Sequence, residues 1–393
     1  MTRVILFAVV ALVLAGLALL ALGWVFSSRV IVPAPYSLMP EFEVIASDPG
    51  PPASVTLPRV PNPDQHADVD VEGTYALLWD GGYGLLGEEL ASGSGQVTRA
   101  VTVVEGTLPA AGTPARVDNF VYRRDPERDL GLAFERLTLS GPVGGVAAWY
   151  VPPAEADARS RTGVLMLHGR RRGQLSETLR FVPLFHALGM HVLAQSYRNH
   201  DASAASPDGL YHYGASEWQD AIVGARELAA RGVDRVVLFG ISMGGAVALE
   251  ALKRWPGDAP EVIGVVLDSP LVDPYATVEL GAERSGLPAP AALTRLALGV
   301  AGWRTGADFG ALVQARSADR VQVPVMVVAG TADSTVPVAS VDAFVGALRV
   351  PVTYHRLEGV EHVEAWNVYG PERYGEWLRA FVAGLEVRAV AAG

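Results

Sequence analysis

The chain has 393 residues, half of them apolar, which suffices for one large domain with an appendage. A formal net charge of −11 and a single lysine, Lys253, leave no basic face for a nucleic-acid partner. The absence of cysteine excludes a disulfide framework, a thiolate zinc site and a cysteine nucleophile.

The first element is an uncharged apolar run from Val4 to Phe26. As a helix it would be about 34 Å long, enough for a bilayer core of about 30 Å. Trp24 stands at its far end as an interface anchor. Residues 4–26 therefore read as a transmembrane signal anchor, because the apolar run exceeds that of a cleavable signal. The alternative is secretion after cleavage near "ALG" at Ala21 to Gly23. Either way the bulk of the chain is expected outside the cytoplasm.

Residues 27–63 follow, with nine prolines between Pro33 and Pro63 and little periodic pattern, and read as an extended linker. Residues 64–129 give short β-like runs broken by turn signals, as in "GTYALLWDGGYGLLGEEL", and read as a small β-rich segment. From residue 130 to 393 the pattern changes. A hairpin with its turn at Gly141 to Gly145 leads into "GVLMLHG", "HVLAQSY", "DRVVLFG", "EVIGVVLDSP", "VPVMVVAG" and "VTYHRLEG", with amphipathic helices between them. Apolar strands alternating with helices predict an α/β fold, a mostly parallel sheet covered on both faces. The connection between "VVLDSP" and "VPVMVVAG" is too long for a plain crossover, so residues of about 271–318 are read as a helical cap over the C-terminal edge of the sheet.

The chemistry starts at "RVVLFGISMGGAVALEAL", a strand, a tight turn and a helix. Gly-x-Ser-x-Gly in that context is a nucleophile elbow, which exposes Ser242 at a helix N-terminus where the Met243 N–H can meet an oxyanion. A serine hydroxyl needs a base, and the base needs an acid to hold its tautomer. Asp333 follows a later strand in "VPVMVVAGTADSTVP" and His362 follows the last one in "HRLEGVEHVEAWN", in the order this elbow uses. The alternative for Asp333 is a turn or helix cap. His168, in "MLHGR", fits an oxyanion loop better than the base, and the Arg170 N–H is the expected second oxyanion donor. The other histidines are read as packing or surface residues. Arg171, in "RRR", is a candidate for an anionic group of the substrate, against the alternative of a solvated loop. Asp268, in "LDSP", is read as lining the cleft or capping a turn. No His or carboxylate pairs recur at ligand spacing, so no metal and no cofactor are expected.

The motifs "HGRRRG", "GISMGG", "AGTADSTVP" and "GVEHVEAWNVYGPERYGEWLRAFV" give the chain from about Leu130 to Leu385 a resemblance to the serine hydrolases of the α/β-hydrolase superfamily. "LDSP" and "EHVEAW" look like bacterial membrane-anchored hydrolases of the ABHD and prolyl-oligopeptidase-type groups. The resemblance implies nucleophile Ser242, base His362 and acid Asp333, and it transfers no substrate.

The expected reaction is hydrolysis of an ester or thioester through an acyl-enzyme, with a small-molecule or lipid-like acyl substrate. Leu271, Tyr275, Leu287, Leu296 and Trp303 are candidates for an apolar pocket beneath the cap. Three alternatives stay open: a serine peptidase of the prolyl-oligopeptidase type, non-hydrolytic chemistry on the same fold, and a non-catalytic binding protein. The upstream region is too short for a bladed gating domain, which counts against the peptidase.

Overall fold

The computed structural model describes residues 2–34, 39–59, 69–70, 72–154, 161–170, 175–200 and 202–392. Helix α1 (Thr2–Ile31) runs beyond the apolar stretch that announces it. Its first two thirds are exposed where their side chains are described, whereas Gly23, Ser27, Val30 and Ile31 are buried. Val30 and Ile31 belong to the same core as the central sheet, so the helix ends inside the folded body.

Seven strands then form an antiparallel sheet: β1 (Phe42–Glu43), β2 (Ala46–Asp48), β3 (Ser54–Pro58), β4 (Tyr75–Trp79), β5 (Gly82–Gly93), β6 (Gln96–Glu105) and β7 (Pro114–Asp118). Their order is β1-β7-β4-β5-β6-β3-β2. Val55, Leu57, Tyr75, Leu77, Leu86 and Val97 fill its core. This corrects the boundary at residue 63, because β1 to β3 come from the proline-rich segment expected to be a linker. Among the described residues, Pro33 and Pro40 precede β1, Pro49, Pro51 and Pro52 lie between β2 and β3, and Pro58 ends β3, where a missing N–H costs little pairing. The strands are too short for their alternation to stand out.

A short helix α2 (Pro126–Leu130) leads to the second sheet. Its strands are β8 (Glu135–Gly141), β9 (Gly144–Val151), β10 (Thr162–Leu167), β11 (His191–Gln195), β12 (Arg235–Ile241), β13 (Glu261–Asp268), β14 (Val325–Gly330) and β15 (Val352–Leu357). The order is β15-β14-β13-β12-β10-β11-β9-β8. β10 to β15 pair in parallel, and the β8/β9 hairpin closes one edge antiparallel. Helices α3 (Val182–His186), α4 (Trp218–Ala230), α5 (Met243–Leu252), α8 (Val338–Ala347) and α9 (Ala365–Ala392) surround this sheet, with a separate apolar core on each face. Gly370 and Pro371 break α9. β10, β11 and β14 are buried along their whole length and β12 and β13 along most of theirs, which is why they read as apolar runs, whereas the edge strand β15 is buried only at Leu357.

The long connection after β13 carries α6 (Pro274–Arg284) and α7 (Pro290–Thr305). Asp273 caps α6, accepting from the Tyr275 and Ala276 amides. α7 packs along α1. A Cβ on Gly23 would lie 2.7 Å from Val300 Cγ2, so only glycine allows this close approach. Trp24 and Trp303 meet edge to face at 6.2 Å, and the Arg304 guanidinium lies 4.0 Å from the Trp24 ring while donating to the Ser27 and Ser28 hydroxyls.

Candidate active site

β12 runs straight into α5, and Ser242 is the one residue between them. Its φ of 50° and ψ of −115° lie outside the ordinary wells, a strained conformation that the packing around it must hold. The glycines make that packing fit. A Cβ on Gly240 would come 2.6 Å from the Gly244 carbonyl oxygen, and one on Gly244 would come 2.1 Å from the Leu167 carbonyl oxygen. The Ser242 N–H donates to the Asp268 carbonyl at 2.9 Å, and the Ser242 carbonyl accepts from Leu271 and Gly245 at 3.0 Å each.

The Ser242 hydroxyl lies 3.0 Å from His362 Nε2, and His362 Nδ1 lies 2.7 Å from Asp333 Oδ2. Asp333 sits in the loop after β14 and is held by its other oxygen, Oδ1, which accepts from the Thr335 and Val336 amides at 2.8 and 2.7 Å. The cap and the hydrogen bond to histidine are thus both made, one by each oxygen. His362 sits in the loop after β15. Glu361 accepts from the His362 amide and from the Ser334 amide and hydroxyl, which ties the histidine loop to the aspartate loop.

Burial works against a charge on the His362 imidazole. The Asp333 carboxylate, through its charge and hydrogen bond, outweighs that cost with help from Asp268 and Glu361, and the histidine pKa is raised above its ordinary value. Asp268 is fully buried beneath the elbow, accepts from the Tyr374 hydroxyl at 2.8 Å, and has its carboxyl pushed up by burial.

The "HGR" stretch after β10 lies against the elbow, since a Cβ on Gly169 would be 3.4 Å from Ser242 Cβ. The Gly169 amide is already committed to the Glu177 carboxylate. Among the described residues, the amides of Arg170 and Met243 have no hydrogen-bond acceptor outside their own elements. His168 is buried against Tyr197, ring centroids 4.5 Å apart; its Nδ1–H donates to the Gly169 carbonyl, and burial pushes its pKa down to about 4. The Arg170 side chain reaches the end of α1, donating to the Arg29 carbonyl at 2.9 Å.

The pocket candidates separate. Leu271 is buried beside the Ser242 carbonyl, and Tyr275 is half-buried against the main core. Trp303 is 71% exposed and, with Leu296, lines a groove against Leu20 of α1. Leu287 is half-buried. Arg171 lies outside the described residues. Sequence reasoning missed Glu361, Ser269 and Glu177. Glu361 had a signal, since it adjoins the histidine, and Ser269 had a weak one in "LDSP". Glu177 had none.

Residues 164–382 match the model of the "Alpha/beta hydrolase family", and residues 43–118 match that of a domain of unknown function, DUF8805. Among solved structures, the Pyrococcus furiosus esterase Pf2001 superposes with a TM-score of 0.53 at 20% identity, covering 67% of this chain and 95% of that one. DcsB, solved with its substrate analogue, superposes with a TM-score of 0.50 at 14% identity, covering 64% and 99%. A multifunctional-autoprocessing repeats-in-toxin of Vibrio cholerae is 27% identical over 147 residues, 35% of this chain. The match spans only 3% of that curated relative. With more than half of its length matched by the family model, and with its strand order and elbow as described, the chain belongs to the alpha/beta hydrolase family.

Proposed function

We propose that the protein is a serine esterase that cleaves carboxylic esters or thioesters through an acyl-enzyme. The observation that carries this reading is the continuous hydrogen-bonded line from Ser242 Oγ to His362 Nε2 at 3.0 Å and from His362 Nδ1 to Asp333 Oδ2 at 2.7 Å. Ser242 attacks the acyl carbonyl carbon while His362 takes its proton, and Asp333 stabilises the imidazolium that forms. His362 then gives the proton to the leaving alkoxide or thiolate. Water, deprotonated by the same imidazole, attacks the acyl-enzyme and releases the acid. The amides of Met243 and Arg170 supply the oxyanion donors, a role that Gly169 cannot share while Glu177 holds its N–H.

α1 is the one helix among the described residues long and apolar enough to cross a membrane. Its docked end supports an uncleaved anchor, because Val30 and Ile31 are part of the main core and the Arg170, Tyr213 and Tyr211 contacts grip the Arg29, Val30 and Ile31 carbonyls. Seated on α1, the cap helix α7 lies close to the bilayer surface, which favours a lipid-like acyl substrate.

The test uses full-length protein in detergent, a fluorophosphonate probe and p-nitrophenyl butyrate. Ser242→Ala is expected to abolish labelling and to lower turnover by about a million-fold while the protein stays folded. Labelling at an unchanged rate in that variant, or folded wild type that neither labels nor turns over any ester, would sink the proposal.

A further inference from the structure

His362 stands on a loop whose far side is not made by the catalytic sheet at all. The Asn367 side-chain Nδ2 donates to the Thr74 and Asn119 carbonyls at 2.7 Å each, while the Thr74 main-chain amide donates to the Asn367 main-chain carbonyl at 3.1 Å. The Tyr75 hydroxyl donates to Glu364 at 3.0 Å, and the Asn119 side chain donates to the carbonyl of His362 itself at 3.4 Å. Thr74 and Tyr75 lie at the start of β4, and Asn119 directly follows β7.

Arg180 joins the two sides. One of its nitrogens donates to the Val363 carbonyl at 3.0 Å and to Asn367 Oδ1 at 2.7 Å, and its guanidinium lies 4.6 Å from the Phe120 ring. Tyr122 meets Trp366 edge to face at 6.1 Å. The approach is close enough to exclude a side chain at Gly73, where φ is 122° and a Cβ would fall 2.2 Å from the Asn367 carbonyl oxygen. From within the catalytic domain the loop is held by Ser269 Oγ, which accepts from the Val363 amide at a φ of 61°, by the Ser334 amide and hydroxyl, which donate to Glu361, and by the Ala332 amide, which donates to the Val360 carbonyl.

We propose that the N-terminal β-domain is a brace for the base of the catalytic site, with Tyr75 and Asn119 as positioning residues that hold His362 between Asp333 and Ser242. This assigns a task to the segment that matches a domain of unknown function, and it rests on the esterase reading only for the roles of the three site residues. A brace must be rigid, and buried polar groups that are paired across a junction fix its geometry more sharply than apolar packing does. Glu364 contributes as a neutral acid. Burial pushes its carboxyl up to about 8, so near pH 7 it accepts from Tyr75 without adding a further charge behind the histidine.

The experiment compares wild type, Tyr75→Phe and Asn119→Ala as full-length protein in detergent. Arg59→Ala is the control within the same domain, since its partners Asp70, Ser92 and Gly93 all lie inside that domain. Each brace variant is expected to lower kcat for p-nitrophenyl butyrate about ten-fold. KM should stay within about twofold, because substrate binding is untouched. NMR titration of His362 in the same samples reads the imidazole without turnover, and its pKa should fall toward the ordinary value as the contact with Asp333 loosens. Arg59→Ala should change neither quantity. An unchanged His362 titration in both brace variants overturns the proposal, whether or not their melting temperatures fall. Because that titration needs no substrate, it decides the brace even if the wild type proves inactive on esters, which would count against the esterase reading alone.

Discussion

Ser242 and His362 are held in opposite ways. The serine is fixed by its nearest neighbours in sequence, since the turn from β12 to α5 is closed by Gly240, Gly244 and Gly245 and by ladder bonds to the adjacent strand. The histidine is held by Asp333 and by the Ser334–Glu361 tie, and in addition by residues more than 240 positions away, just beyond a strand of a different sheet. Strain at the serine is therefore stored locally and survives any change that leaves the sheet intact. The orientation of the base depends also on how two domains meet. Accuracy in such a site is set by its least local member.

The comparison can be broken first at the shared acid. Asp333→Asn keeps the shape of the loop but removes the charge that stabilises the imidazolium, and kcat should fall by about ten-thousand-fold. Steady-state kinetics at pH 8 checks this, and a fall of less than about a hundred-fold would mean that another carboxylate, with Asp268 and Glu361 the candidates that already act on the imidazole, takes over.

Next in size is a change in the N-terminal core. Leu57→Ala removes a fully buried side chain from the sheet that carries the brace and should cost about 2–5 kcal/mol of stability. Denaturant unfolding measures the cost, and kcat measured on the folded fraction well below the midpoint should hardly move. A kcat that falls in step with stability would mean that the brace is softer than the hydrogen bonds across the junction suggest.

The smallest effect concerns pH. His362 must be neutral to accept the serine proton, and its pKa is raised by Asp333, so kcat/KM should rise with pH through a midpoint above 6.5. The same shift means that the protonated histidine favours the folded state at low pH, a contribution lost as pH rises through the folded pKa. In Asn119→Ala the activity midpoint should move downward.

Much of the catalytic domain was legible in the sequence because parallel strands buried on both faces read as apolar runs, and β10 to β14 do, whereas the edge strand β15 is buried only at Leu357. The serine was legible for the same local reason that fixes it, as glycines must stand at set positions around an elbow. Asp333 and His362 could be found by their place after successive strands. The strands of residues 42–58 were hidden, since two to five residues between prolines carry too little alternation to register. The brace was hidden more deeply. Tyr75 looks like any inward residue of a strand and Asn119 like any turn residue, and only the docking of the two sheets brings them to the histidine. Trp303 misled for a related reason: an aromatic in a cap suggests a pocket, and its neighbour proved to be the first helix of the chain.

That neighbour also changes how the enzyme would search for substrate. On the membrane reading, the part of α1 from Thr2 to Leu22 is about 31 Å long, one bilayer core, and the remainder stands above it clamped by Arg304, Arg170 and Tyr213. No slack tether separates the anchor from the fold. The catalytic domain would then ride at one height and one tilt, like a stylus and not a buoy, and its encounters with substrate would become a two-dimensional search by lateral diffusion at fixed attitude.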